Sequence, residues 1–376
     1  MTGSLNPTCL VFRDKFLLPS EGFILTHYVG FDSLQPFFVA NKLGWRVAEA
    51  GYPALPTSAS PLGRIAFNLG MTGATERFGA VPPVVMHAHF GRGGALSLPL
   101  AKALGIPLFV TYHGGDATKV THSRNRVLPT LYQRRLKELQ AVATGFLCVS
   151  DFIADRLRSM GFPPQKLITH YIGIDIRSLV SPSIRSASAP YLFVGRMVEK
   201  KGADDLIDAM RILQDDGLAI KLEIAGSGPN EAALRARAVG LRNVRFLGWQ
   251  TPADLAARLS TCRGVIVPSK QASNGDCEGL PTVVLEALRA GAPVIATSHA
   301  GIPEILSHMK TGFLAPESNA PRLASLLREQ SALDPNAVCN IVAAGQQRLR
   351  SDFNAEKQSG RLQDLFLAAS SAAGLG

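Results

Sequence analysis

Glu278-Gly279-Leu280-Pro281-Thr282-Val283-Val284-Leu285-Glu286 sets two glutamates eight residues apart, with Gly-Leu-Pro directly after the first. A helix after Pro281 brings Glu286 back near the carboxylate of Glu278, about two turns on. Gly279 to Pro281 form the loop that enters it. The first N–H groups of a helix have no internal partner and carry partial positive charge, so they attract phosphate. Two acceptor carboxylates beside such a helix start suit a molecule with both hydroxyls and phosphates, and a nucleotide-sugar is one. The same residues also read as an ordinary amphipathic helix, with Val283, Val284, Leu285, Ala287 and Leu288 toward the core and Glu286 in water. For the spacing taken alone, that plainer reading is the stronger.

The flanking sequence shifts the balance. Ala290-Gly291-Ala292-Pro293-Val294-Ile295-Ala296 reads as a helix stop and then a buried strand. Gly301-Ile302-Pro303-Glu304-Ile305 opens a short helix, and Thr311-Gly312-Phe313-Leu314 turns into an edge strand. Together, E-G-L-P-x4-E-A-x3-G-x-P-V-I-A-x4-G-I-P-E-I…T-G-F-L resembles the nucleotide-binding half of the family 4 retaining glycosyltransferases, among them the exopolysaccharide and colanic-acid type. The resemblance implies the GT-B arrangement: α/β, with two Rossmann-like doubly wound domains facing a cleft.

Composition agrees with that size and class. At 376 residues and 40.1 kDa, two domains are expected. A hydrophobic content of 46% with 18% charged residues suits a packed α/β protein and excludes disorder. No run of 18 or more apolar residues lacks charge or proline, and no basic segment precedes an apolar run at the N-terminus. Neither a membrane span nor a signal peptide is expected, and the chain reads as cytoplasmic. Cys9, Cys148, Cys262, Cys277 and Cys339 are scattered without a C-x-x-C and read as reduced thiols. Cys277 adjoins Glu278 and is either reactive or simply packed.

The formal charge of +10 is unevenly placed: residues 1–185 hold 19 Lys+Arg against 10 Asp+Glu, and residues 186–376 hold 20 against 19. Lys119, His122, Arg124, Arg126, Arg134, Arg135 and Lys137 alternate with Val127, Leu128, Leu131, Tyr132 and Leu136. A basic helix with an apolar face suits an anionic membrane surface, peripheral on the inner face of the cell membrane. It equally suits a solvated helix packed on its own domain. No recognition motif for nucleic acid accompanies the charge.

Strand and helix patterns alternate along the chain, which argues for parallel sheets. Strands are expected near Thr8–Phe12, Gln35–Ala40, Val84–His89, Pro107–Tyr112, Gly145–Val149 and Leu167–Tyr171, with helices near Glu21–Val29, Gly94–Leu104, Arg124–Leu139 and Asp151–Met160. The Ser/Ala/Pro-rich stretch 181–190 reads as a linker between a first domain of residues 1–180, the acceptor-binding one, and a second of 191–353. In the second, strands are expected near Tyr191–Val194, Lys221–Ala225, Val244–Leu247, Val265–Val267 and Val294–Ala296. Residues 354–376 form a last helix that the resemblance places back on the first domain.

Ligands of doubly wound sheets bind past the carboxyl ends of the strands. Gly195-Arg196-Met197-Val198-Glu199-Lys200-Lys201-Gly202 follows the strand at Tyr191 and resembles the family's G-R-x3-K-K-G. Gly195 lets backbone approach a ligand; Arg196 offers a planar fork, and Lys201 a point charge, to a diphosphate. Cations there favour the transition state, in which the leaving diphosphate gains charge. Lys200 reads as solvated. The resemblance assigns Glu278 to hydroxyls of the transferred sugar, Glu286 to the ribose, Gly279 and Leu280 to the diphosphate, and Gly226 and Gly248 to the nucleoside. It assigns His113, in His113-Gly114-Gly115-Asp116, a hydrogen bond to the donor sugar from across the cleft, with Asp116 orienting the loop or His113. His87-Ala88-His89-Phe90-Gly91 ends another strand; His89 lines the acceptor side or packs the loop. Pro19-Ser20-Glu21-Gly22-Phe23-Ile24 resembles the S-E-T-F-I of exopolysaccharide enzymes, with Gly22 in the threonine position and Ser20 as helix cap.

The expected reaction is transfer of a sugar, with retention, from a nucleotide diphosphate-sugar to a hydroxyl of a lipid-linked saccharide acceptor. No metal and no cofactor is expected: Asp276-Cys277-Glu278 is not a metal set, because the family uses cations and helix ends instead. A UDP-sugar is favoured over a GDP-sugar. A nucleotide-sugar epimerase of the same two-domain fold is the alternative. A dehydrogenase needs G-x-G-x-x-G, which Gly91-Arg92-Gly93-Gly94 does not supply. A non-catalytic membrane module has no use for Glu278, Glu286, Arg196 and Lys201 together.

Overall fold

The computed structural model describes residues 6–16, 21–44, 51–71, 82–119 and 130–375. The chain divides into two compact units, Met1–Gly173 with Ala355–Gly376, and Ile174–Asn354.

The first unit runs β1 (Thr8–Phe12), β2 (Lys15–Phe16), α1 (Phe23–Thr26), β3 (Gln35–Ala40), β4 (Lys42–Leu43), β5 (Ala54–Pro56), α2 (Pro61–Leu69), β6 (Pro83–His89), α3 (Gly91–Leu104), β7 (Leu108–Tyr112), α4 (Gly115–Thr118), α5 (Leu131–Val142), β8 (Gly145–Cys148), α6 (Asp151–Ser159) and β9 (Leu167–Thr169). Its main sheet has the order β5-β3-β1-β6-β7-β8-β9, and its paired strands are parallel. Near-continuous apolar strands such as Thr8-Cys9-Leu10-Val11-Phe12 are buried along their whole length, as a sheet covered on both faces requires.

The second unit runs β10 (Tyr191–Val194), α7 (Ala203–Asp215), β11 (Leu222–Ala225), α8 (Glu231–Arg237), β12 (Val244–Gly248), α9 (Pro252–Thr261), β13 (Gly264–Val267), α10 (Thr282–Arg289), β14 (Val294–Thr297), α11 (Ile302–Ile305), β15 (Phe313–Ala315), α12 (Ala320–Ala332) and α13 (Pro335–Asp352). Its sheet order, β12-β11-β10-β13-β14-β15, is the doubly wound order that reverses after the first strand. The reversal falls between β10 and β13, so the loops leaving those two strands flank the crevice where such sheets bind ligands.

Most expected elements are present, and three expectations need correction. The helix expected over Glu21–Val29 is only α1, because Gly22 offers no side-chain cap and the chain beyond is captured elsewhere. Gly30 N–H donates to Ser359 Oγ at 2.9 Å, and Gln363 Oε1 accepts from the N–H groups of Asp32, Ser33 and Leu34. These partners lie on the last helix, α14 (Ala355–Ala372), whose Phe366 also packs 5.0 Å from Phe109 in the first core. The last helix thus belongs to the first unit. Second, residues 181–190 are not the boundary: the chain leaves the first unit after Gly173. The guanidinium of Arg185 donates to the carbonyls of Leu259 (3.1 Å) and Ala290 (2.7 Å), which ties the Ser/Ala/Pro stretch to the second unit. Third, α13 has no counterpart in the expectation. Ser20, His122, Arg124, Arg126, Val127 and Leu128 lie outside the described residues.

Two glycines give a direct test of backbone demand. Gly202 has φ +67°, and a Cβ there would lie 1.8 Å from the Pro268 carbonyl oxygen. Gly22 has an ordinary helical φ, and an added Cβ meets nothing within 4 Å. Gly202→Ala is expected to destabilise by about 2 kcal/mol or more, and Gly22→Ala to stay within about 0.5 kcal/mol, in urea unfolding.

Candidate active site

The loop leaving β10 and the loop leaving β13 are laced together. Lys270 N–H donates to the Lys200 carbonyl at 2.9 Å, and Ser273 N–H and Oγ both bond the Glu199 carboxylate, at 2.8 and 2.7 Å. Gly202 packs against Pro268 in the same seam. This lacing brings Lys200 and Lys201 to Glu278. Lys201 Nζ lies 3.1 Å from Glu278 Oε1, and its stem runs along Gly195, where a Cβ would meet Lys201 Cδ at 3.4 Å. Glu278 is only 8% exposed. Burial pushes its carboxyl up, but Lys201 and then Lys200 outweigh that, and the net displacement is downward. Glu278 is therefore a buried carboxylate that stays ionised.

Lys200 is not the solvated residue the sequence suggests. Its Nζ reaches Asp276 Oδ1 at 3.3 Å, the Cys277 carbonyl at 3.1 Å and Glu278 Oε1 at 3.8 Å. Cys277 is buried, with Sγ 3.5 Å from the Gly275 carbonyl, a packed thiol.

Glu286 stands on α10, whose start carries no side-chain cap. It is half-buried; burial raises its carboxyl, while Arg289, a hydrogen bond from Thr282 and Lys201 pull the other way. Lys201 thus acts on both glutamates. Arg196 is exposed and makes no ion pair among the described residues, so its fork is free. Gly279 and Leu280 are buried, and the Gly279 carbonyl accepts from Gly301 N–H at 3.1 Å. Gly226 has a packing reason for its identity: a Cβ would lie 2.0 Å from the Gly195 carbonyl oxygen. The Gly248 carbonyl accepts from Gly226 N–H at 2.8 Å, and the φ of Gly248 is +69°.

Sequence reasoning passed over His299. Its Nε2 accepts from the Glu278 N–H at 3.3 Å, while Nδ1 lies 2.5 Å from Glu317 Oε2. The pair of bonds sets one neutral tautomer, protonated at Nδ1, and anchors the backbone of Glu278. Its place among the four unspecified residues between Ala296 and Gly301 gave no periodic signal.

In the first unit, Asp116 holds the loop and not the imidazole. Its Oδ1 accepts from the N–H groups of His113 (3.0 Å) and Gly114 (2.9 Å), and its Oδ2 from Gly91 N–H (3.1 Å). His113 Nε2 lies 3.0 Å from His89 Nδ1, and His113 Nδ1 is buried without a partner among the described residues. Burial, then the charge of Arg13, lowers the His113 imidazole to about 3. Arg13 forks onto Glu21 at 3.2 and 2.5 Å and covers the Phe90 ring, which rests 4.5 Å from His113. Gly22 is exposed beside this group. Two of the residues involved, His87 and His89, share one face of β6 because they are two apart in a strand; that alternation was the available signal. The apolar side of α5, Tyr132 and Leu139, is buried in its own unit, while Arg134 and Lys137 stay exposed.

The family comparisons agree with this geometry. Residues 181–347 match the family described as glycosyl transferases group 1, and residues 34–178 match glycosyltransferase family 4. The chain belongs to this family of glycosyltransferases. It is 31% identical over 290 residues to the protein assigned as the colanic acid biosynthesis glycosyltransferase WcaL of Salmonella typhimurium, covering 75% of this chain and 70% of that relative. It is 30% identical over 323 residues to the amylovoran biosynthesis glycosyltransferase AmsK of Erwinia amylovora, covering 80% and 76%. Among solved structures, HepE of Anabaena in complex with UDP superposes with a TM-score of 0.76 at 17% identity, over 97% of this chain and 100% of that one. The fold is GT-B.

The Lys201–Glu278 pair carries a pH signature. A lowered carboxyl contributes stability above its ordinary range, and that contribution is lost as pH falls through the lowered value. Lys201→Met is expected to cost about 1–3 kcal/mol near neutral pH, since Lys200 still serves Glu278. The gap to wild type in urea unfolding should close in acid; a gap that is constant with pH would exclude an electrostatic origin.

Proposed function

We propose that this chain transfers a sugar from a nucleotide diphosphate-sugar, with retention of anomeric configuration, to a hydroxyl of a lipid-linked saccharide during assembly of an extracellular polysaccharide. The observation that carries this reading is Lys201 at 3.1 Å from the buried Glu278 and acting on Glu286, past the carboxyl end of β10. Lys201, the free fork of Arg196 and the uncapped start of α10 stabilise the charge that builds on the departing diphosphate, the role a metal plays in other transferases. Glu286 accepts from the ribose hydroxyls and Glu278 from hydroxyls of the transferred sugar; His113 hydrogen-bonds that sugar. The acceptor oxygen bonds to the anomeric carbon on the face the diphosphate leaves, and its proton passes to a leaving phosphate oxygen. No side chain forms a covalent intermediate.

The names of WcaL and AmsK support an exopolysaccharide acceptor, and the UDP bound to HepE supports a uridine donor. An anionic membrane surface is the working place we assign. In support, α2 exposes Leu62 (79%), Ile65 (55%) and Leu69 (67%) on one face, and Arg135 of α5 approaches its end at Gly70. No helix among the described residues is long and apolar enough to cross a membrane.

A thermal-shift panel of UDP, GDP, UDP-glucose and GDP-mannose tests the donor assignment. UDP compounds should stabilise the chain, and Glu286→Ala should weaken nucleotide binding roughly tenfold. Full affinity in that variant would remove the ribose assignment. Arg196→Ala and Lys201→Ala should each lower turnover on the order of a hundredfold. A product that is an epimerised nucleotide-sugar, with no glycoside formed, would replace this reading with the epimerase. For the membrane, sedimentation with phosphatidylglycerol vesicles should lose the protein when Leu62, Ile65 and Leu69 are all serine; unchanged binding would discard that face.

A further inference from the structure

Behind His113 runs an unbroken line of side-chain hydrogen bonds. Thr111 Oγ1 lies 2.6 Å from His87 Nε2, His87 Nδ1 lies 2.6 Å from the Tyr28 hydroxyl, that hydroxyl lies 2.7 Å from His89 Nε2, and His89 Nδ1 lies 3.0 Å from His113 Nε2. Thr111, His87 and His89 are 0% exposed and Tyr28 is 1%. His27 and His170 pack beside the line without a hydrogen bond to it among the described residues; Arg13, over the adjacent Phe90 ring, and Asp116, bonded to the His113 N–H, are the charges beside it. We propose that Thr111, His87, Tyr28 and His89 are positioning residues: a proton-ordered relay that fixes His113 as a neutral imidazole presenting its Nδ1–H, a donor aimed at an oxygen of the ligand and not a base.

The direction follows from counting protons. Each neutral imidazole has one N–H and one lone pair, so a donor at one end sets every bond along the line. If Thr111 donates to His87, then His87 donates to Tyr28, Tyr28 to His89, and His89 to His113. One group is left unpartnered, the Nδ1–H of His113, which is buried without a partner among the described residues. If the line runs the other way, His113 Nδ1 is a bare lone pair and the hydroxyl hydrogen of Thr111 is stranded as well, at a fully buried site with no second partner among the described residues. Stranding two buried groups is worse than stranding one. A charged imidazole at His87, His89 or His113 would donate from both nitrogens and break the order, and burial holds all three neutral. The remaining N–H is satisfied only by a ligand acceptor, which suits a sugar hydroxyl or ring oxygen.

The inference rests on the assignment of His113 to the transferred sugar, and two independent readouts separate them. In 15N-histidine-labelled protein without ligand, long-range 1H–15N correlation should find His113 protonated at Nδ1 and bare at Nε2. Tyr28→Phe cuts the line in its middle while keeping the ring, and Thr111→Val removes the terminal donor; each should shift His113 to a mixture of tautomers. Should one variant fail to fold, the other decides. An Nε2–H form in the wild type, or unmoved His113 signals in the folded variants, overturns the relay. Separately, the affinity advantage of UDP-glucose or GDP-mannose over the bare diphosphate should fall roughly three- to tenfold in the relay variants and in His113→Ala, with affinity for the diphosphate itself unchanged. An advantage that survives His113→Ala removes the sugar contact and leaves the relay to stand on its spectra.

Discussion

A carboxylate buried at Glu278 constrains everything around it. An ionised group out of water is tolerated only with cations at hand, and two lysines from a different loop supply them. The loop after β10 must therefore meet the loop after β13, and the remaining features follow. Gly202 lets the backbones touch, Glu199 ties the far edge, and the doubly wound order puts both loops on either side of the strand reversal.

The first unit reaches polarity by the opposite route. Its buried functional groups are neutral imidazoles, held so by desolvation and by each other. Neutral groups need no counter-charge but need every proton placed, and so they are ordered by hydrogen bonds and not by ion pairs. Arg13 stays at the rim, spent on Glu21 and the face of Phe90.

How much of this was legible depended on whether an interaction is local. The strand ends and their polar successors were readable because a buried parallel strand is a continuous apolar run and the residue after it is where a doubly wound sheet binds ligands. Glu278, Glu286, Arg196 and Lys201 fell out of that rule with the motif. Lys200 was misplaced because neighbouring lysines in a turn look alike until the partner loop is known. His299 was invisible for the same reason: its two partners lie 21 and 18 residues away along the chain. The stretch 181–190 has a linker's composition, yet Arg185, by bonding carbonyls more than 70 residues distant, and Arg263, by bonding the Ala187 carbonyl, make it part of a folded unit. α1 ended early because α14, from the opposite end of the chain, takes its outgoing backbone groups.

A motif position and a motif role are also separable. Asp116 accepts three backbone N–H groups and has little capacity left to orient an imidazole, so it sets the loop and leaves His113 to be aligned from behind. Gly226 is glycine because the Gly195 carbonyl occupies the space of its side chain, whatever the ligand is. At Gly22 the reverse holds. The space a larger residue needs is open, so nothing in the packing demands glycine there. Where the structure supplies a steric reason for a residue, its presence in a motif says little about substrate. Where it supplies none, as at the fork of Arg196 and the Nδ1 of His113, neither of which has a hydrogen-bond partner among the described residues, packing leaves the residue's identity unexplained.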